Sequence, residues 1–323
     1  MNGITEKPEL VPVTQAVVPL SRAERSRDQA RAFIPFGIGV GLLSLLFFAP
    51  LLRLLKFSLK EELYSHILLI PLISGYLIWV DRARLPLPTK GSLSLSFIPA
   101  FFGLAILAWN FLRSGPLPVP DSHFLAILPF CLFLTALVLC FLGTAFARAV
   151  AFPLAFFYFI IPFPEAVSHA MEIGSQRASA EAFDWMIWLT GTPYFRQGQT
   201  FTMPGLSLVI AQECSGIRSS FVLLLTSLLA GQMFLRSAWK RTFLALLVIP
   251  LGFVRNGFRV LTLSILAIHW DPAVMDSPLH HRGGPLFFAL SLVPFFVLLW
   301  WLRKSELKDH VALSQPASQK SDR

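Results

Sequence analysis

Written as apolar and polar positions, the chain resolves into long hydrophobic stretches separated by short polar ones. They fall at about 33–52, 66–80, 93–112, 124–143, 149–161, 216–235, 242–268 and 283–302, and most are close to the roughly 20 residues a helix needs to cross ~30 Å of hydrocarbon. The fifth is cut short by Pro162 and Pro164, which cannot continue a helix. Beyond it the pattern changes. Glu165 to Thr190 mixes Glu, Asp, Arg, Gln and Ser with Met and Trp, predicting an amphipathic helix lying at the membrane surface. Gly191 to Ile210 carries Gly-Thr-Pro-Tyr, Arg-Gln-Gly-Gln and Met-Pro-Gly-Leu, which predict turns between short extended pieces. The expected fold is all-α and integral to the membrane: a polytopic helical bundle of about eight transmembrane helices, with a short outer-face segment between spans five and six. No internal repeat or separate soluble domain is visible.

Composition agrees with the pattern. Of 323 residues, 55% are hydrophobic and 14% charged, where a soluble protein carries about a quarter charged residues. The net charge of +9 sits mostly in the termini and short loops, so it reads as topology information and excludes nucleic acid as the partner. Residues 1–31 hold Arg22, Arg25, Arg27 and Arg31 without an apolar core, predicting a cytoplasmic tail and no cleavable leader. The body of the protein is expected over 32–303, with a second cytoplasmic tail at 304–323. With the amino terminus inside, the basic loops at 81–90, 148, 236–241 and from 303 onward fall on the cytoplasmic side. The connector at 53–64 is the exception to that rule. The scheme puts 163–213, Cys214 and the 269–282 loop on the outer face. Three cysteines without regular spacing give no disulfide framework, and Cys131 and Cys140, inside an apolar stretch, are expected to be packing residues.

The candidate chemistry gathers near Gln212-Glu213-Cys214-Ser215-Gly216-Ile217-Arg218-Ser219-Ser220, at the border between polar segment and apolar stretch. A thiol at the water-facing start of a membrane helix is reachable by substrate, and the helix N-terminus and Arg218 would both favour its thiolate. Arg255, Asn256 and Arg259 stand inside the seventh stretch, where guanidinium groups are costly unless paired or hydrated and so mark functional positions. Arg255 and Arg259 are four apart and share a helix face. Arg259 lies about 14 Å below the outer end by helix rise. His280 and His281 precede the eighth stretch on the same expected face. A histidine can take the thiol proton and return one to a leaving amine, and a guanidinium can stabilise an oxyanion or hold a carboxylate. Cysteine, arginine and histidine at one membrane face suit acyl transfer. Zinc binding by Cys214, His280 and His281 is the rival, but no H-E-x-x-H pattern accompanies them; no metal or other cofactor is expected. His280, Gly284 and Phe288 would share a face if the lead-in is helical, with Gly284 allowing close approach to a neighbouring helix.

An ordered set of blocks resembles the exosortase/archaeosortase family of membrane cysteine transpeptidases. It runs from Tyr64-Ser65-His66 and Pro71-Leu72-Ile73-Ser74-Gly75-Tyr76-Leu77-Ile78-Trp79 through Ile161-Pro162-Phe163-Pro164 to Gly191-Thr192-Pro193-Tyr194-Phe195-Arg196-Gln197-Gly198. It continues with Glu213-Cys214-Ser215-Gly216-Ile217-Arg218-Ser219 and Asn256-Gly257-Phe258-Arg259-Val260, and closes with His280, Gly284 and Phe288. The resemblance implies a catalytic set of Cys214, Arg259 and His280, with Arg218, Arg255, Asn256, Ser215 and His281 in supporting or substrate-binding places. It implies a bacterial inner-membrane, multi-pass enzyme with its site on the outer face, often working beside exopolysaccharide production. The implied partners are membrane lipids and the C-terminal sorting signal of exported proteins: a short Pro-Glu-Pro-like motif, a transmembrane helix and a basic cluster. Arg255 and His281 duplicate the chemistry next door to Arg259 and His280. Two rivals stand beside this reading: a membrane cysteine protease using water as acceptor, and a polytopic transporter or structural component of polysaccharide export.

Overall fold

A computed structural model describes residues 22–89, 91–210, 216–271, 273–274, 277 and 283–314, with side chains from 33 to 307. The helices are α1 (Arg22–Leu46), α2 (Phe48–Lys60), α3 (Ile70–Asp81), α4 (Leu93–Leu112), α5 (Val119–Leu137), α6 (Gly143–Ala149), α7 (Ala151–Phe157), α8 (Glu165–Leu189), α9 (Ile217–Phe234), α10 (Ala238–His269) and α11 (Gly284–Ser314). A 3₁₀ turn at Glu62–Leu68 precedes α3, and a π turn at Val138–Leu142 joins α5 to α6. Among the described residues, six helical segments are long and apolar enough to cross a membrane, or up to eight if each of two bent helix pairs counts as one span. Phe111, Leu112, Leu46 and Leu45 keep most of their surface exposed, as side chains facing lipid do, because hydrocarbon offers apolar groups no reason to hide. α1 starts at Arg22 and α11 runs to Ser314, so the first and last helices extend past residues 32 and 303.

The chain divides into two units. The first comprises Met1–Leu52, Ile70–Ser114 and Leu125–Ile160. Its core is built on Val138, Leu142, Phe146 and Val150, with Phe36, Ile78 and Leu85 packed against them. The π turn leaves carbonyls outside the regular helical pattern, and the segment before α4 uses them: Thr89 N donates to Leu142 O at 3.2 Å and Ser92 N to Leu139 O at 3.0 Å. Gly91 passes so close to the Cys140 carbonyl that a Cβ there would collide with it. Cys131 is fully buried, in keeping with a packing role.

The second unit comprises Arg53–Leu69, Gly115–Phe124 and Ile161–Arg323. Its α9, α10 and α11 share a core of Leu223, Leu244, Val248, Phe295 and Leu299. α9 and α10 are antiparallel and meet at small residues. Gly231 lies against Arg241, Gly252 against Ser220 and Gly216 against Asn256, the close backbone approach that membrane helices use in place of a hydrophobic drive. The buried Glu306 holds the two residues that lead into α10, accepting from Arg236 N at 3.0 Å and Ser237 N at 2.8 Å.

α8 begins directly after Pro164, and Asp121 Oδ1 accepts from Glu165 N at 2.8 Å. A helix forms over 165–189 as expected, but it is packed against α10. Its Ser175, Gln176, Ser179, Ala180, Phe183 and Ile187 are buried. A Cβ on Gly257 would stand 2.8 Å from Ala182 Cβ and 2.9 Å from Phe183 N, so only glycine admits this crossing. The extended pieces after α8 form an antiparallel sheet in the order β1 (Phe195–Gln197), β2 (Thr200–Met203), β3 (Leu206–Val209). Phe201, Met203 and Ile210 pack with Phe183 and Ile187 of α8. Arg196 ties β1 to the same helix, with Nη1 3.1 Å from Glu181 Oε2 and 3.0 Å from Asp184 Oδ2. Those hydrogen bonds, Glu181 first, push the Arg196 guanidinium above its ordinary range, so it stays cationic.

Candidate active site

α9 starts with Gly216, which sits in the left-handed region at φ +69°. A side chain there would pay that strain and would also press a Cβ to 2.7 Å from Asn256 Oδ1. Glycine is required twice over. Its carbonyl is the hub of the turn: it accepts from Ser220 N and Ser220 Oγ at 3.0 Å, from Ser219 Oγ at 3.1 Å and from Arg255 Nη2 at 3.1 Å. Arg255 Nη2 also reaches Ser220 Oγ at 3.2 Å. Arg255 is 7% exposed and Asn256 2%, so a guanidinium and an amide are held inside the bundle against the first turn of α9. Arg255 Nη1 is buried and makes no hydrogen bond among the described residues. Arg259 is one turn further along α10 and half-buried.

Ile210, the last described residue before Gly216, is held as well. Ile210, 1% exposed, donates its N–H to Gln199 O at 3.1 Å, and its carbonyl accepts from Gln176 Nε2 of α8. Gln176 is itself buried. The helical spacing of Gln176, Ser179, Ala180, Phe183 and Ile187 could have exposed this. An amphipathic helix at the membrane surface turns its polar residues to water, whereas here part of that polar face is covered by packing.

The 3₁₀ turn Glu62–Leu68 adds a third element. Glu62 forms an ion pair with Arg218 in the first turn of α9. Both side chains keep much of their surface in solvent, so the pair adds only ~0.2–1 kcal/mol, and it gives Arg218 a carboxylate partner. His66 is buried, with Nδ1 3.0 Å from Leu63 O and its ring edge-on to Phe221 at 4.7 Å between centroids. Tyr64, His66, Phe163, Ser168, Ile217 and Phe221 line a small crevice beside the start of α9. Tyr64 and His66 stood in the sequence blocks without a role. Their signal was polarity at the edge of an apolar stretch.

Of the residues singled out from sequence, Arg255 and Asn256 come together at Gly216, Arg218 in the first turn of α9 pairs with Glu62, and Arg259 follows on α10. Cys214, Ser215, His280 and His281 lie outside the described residues. Among the described residues, a Cβ on Gly284 would meet nothing within 4 Å. The close approaches occur at Gly216, Gly252 and Gly257, where α10 meets α9 and α8, because those helices cross backbone to backbone. A family model described as transmembrane exosortase (Exosortase_EpsH) matches residues 58–297. No curated protein and no solved structure matches the chain.

Proposed function

The chain belongs to the transmembrane exosortase family, whose members are associated with a membrane cysteine transpeptidase role, and from that premise we propose that it processes exported proteins at their C-terminal sorting signals. Cys214 attacks the scissile carbonyl as its thiolate, Arg259 stabilises the oxyanion, and His280 moves the proton to the leaving amine. A thioester forms as the amine leaves, and an amine or water then takes the acyl group. The substrate is a short Pro-Glu-Pro-like motif followed by a transmembrane helix and a basic cluster. The site faces outward from a bacterial inner membrane. The observation that carries this reading is that the family match spans 58–297 and so takes in Cys214, Arg259 and His280 together.

The buried polar setting of Gly216, two residues after Cys214, supports it, since such groups are costly in a membrane bundle unless used. In a strain co-expressing a reporter with such a sorting signal, Cys214→Ala should leave the protein inserted and abolish processing. Cys131→Ala and Cys140→Ala should process normally. Continued processing by Cys214→Ala would end the thiol mechanism.

A further inference from the structure

We infer that the basic cluster where α9 ends, α10 begins and α11 finishes its apolar part binds the phosphate headgroup of an anionic phospholipid. Contacts between residues 65–70 positions apart draw this cluster together. Glu306 of α11 holds the amides of Arg236 and Ser237, and Lys240 Nζ donates to Ser305 Oγ at 2.8 Å. Arg303 places its guanidinium 5.8 Å from the ring centroid of Phe234, the last residue of α9. Arg241 is occupied within the turn, donating from Nε to Leu235 O at 2.9 Å and from Nη1 to Gln232 Oε1 at 2.6 Å.

Glu306 is buried and its two oxygens face main-chain amides, so it offsets only part of the charge around it. Arg236, Arg303 and Lys304 are exposed and form no ion pair among the described residues. What surrounds them decides the partner. Met233, Phe234 and Trp239 are exposed beside the turn, and Trp300 and Trp301 are exposed on the turn of α11 before Lys304. Lys304 Nζ folds back over the Trp300 ring at 4.7 Å. Cations set among exposed aromatics suit the level where headgroups meet acyl chains, and basic pockets between helix ends take acidic headgroups. The guanidinium groups of Arg236 and Arg303 supply planar forks that match phosphate oxygens. A nucleic acid or an acidic protein would set charged surface against these apolar side chains, whereas a lipid meets them with its own chains.

The test uses the full-length protein in neutral detergent micelles and a phosphatidylglycerol labelled on its acyl chain, read by energy transfer from tryptophan. Unlabelled phosphatidylglycerol should displace the probe, and phosphatidylcholine and inorganic phosphate at matched ionic strength should not. Each headgroup-level cation removed should weaken binding about fivefold, so Arg236→Gln with Arg303→Gln should lose about 20–30-fold. The same pair changed to Lys keeps the charge and should lose less. Arg82→Gln with Arg84→Gln removes as much charge elsewhere and should stay within about twofold of the parent, since exposed charges more than about 10 Å apart are screened. If the double Gln variant loses its helical circular dichroism, the two single variants decide, at about fivefold each. Equal displacement by phosphatidylcholine, displacement by phosphate alone, unchanged binding in the Gln variants, or an equal loss in the Arg82/Arg84 variant would each overturn the proposal.

Discussion

Gly216→Ala perturbs two quantities that can be measured apart. The first is conformational: at φ +69° an alanine costs ~1–2 kcal/mol relative to its right-handed preference. The second is steric. The new Cβ would sit 2.7 Å from Asn256 Oδ1 and 2.8 Å from its Cγ, and forcing atoms into a packed site costs ~1–3 kcal/mol. The sum is about 2–5 kcal/mol, a large part of a protein's margin. Asn256→Ala removes Oδ1 and Cγ and leaves only the Cβ, 3.1 Å away, so it relieves most of the steric part and none of the conformational part. In a double-mutant cycle on unfolding in mixed micelles, the two substitutions should therefore couple favourably by ~1–3 kcal/mol. The residual destabilisation should match the left-handed cost. Processing by Gly216→Ala should fall with it, because the carbonyl that Arg255 holds moves. A Gly216→Ala protein as stable as the parent, or a coupling near zero, would refute the tight Gly216–Asn256 contact from which these magnitudes come.

Three further outcomes follow from the same geometry and chemistry. Gly257→Ala should destabilise by ~1–3 kcal/mol in the same unfolding assay, because a Cβ 2.9 Å from the Phe183 amide meets backbone that cannot turn aside; wild-type stability would mean that α8 and α10 are further apart. Arg259→Lys should lose most reporter processing although it keeps its charge, as a planar fork of donors is replaced by a point charge, while Arg255→Lys should be milder; a reversed order would give Arg255 the catalytic role. His280→Ala should abolish processing and His281→Ala should not, and the parent's rate should fall on acidification as the proton acceptor is lost; the opposite histidine pattern would shift the assignment by one residue.

Much of the architecture could be read from local pattern. Apolar stretches of membrane length predicted α4 at 93–112, and it is helical over Leu93–Leu112. Stretches at 216–235 and 242–268 likewise became α9 and α10 within a few residues, because in hydrocarbon a helix satisfies its own backbone and needs no partner to form. The turn residues of 191–210 marked short extended pieces, and these pair as a small antiparallel sheet. Arg255, Asn256 and Arg259 stood out because charge inside an apolar stretch is expensive wherever the helix goes. What the sequence could not supply was which surfaces meet. The polar face of α8 read as water-facing, yet Gln176, Ser175 and Ser179 are buried, since α10 with Gly257 comes close enough to cover them. Gly284 read as a packing glycine and meets nothing within 4 Å among the described residues, while Gly216 and Gly257 carry close contacts. A glycine's worth depends on what lies opposite its missing Cβ, and an amide's on which carbonyl it reaches. Residues 34 and 39 positions apart became partners in the Gln176–Ile210 and Gly216–Arg255 hydrogen bonds, and separations of that kind are set by helix crossings that no local period encodes.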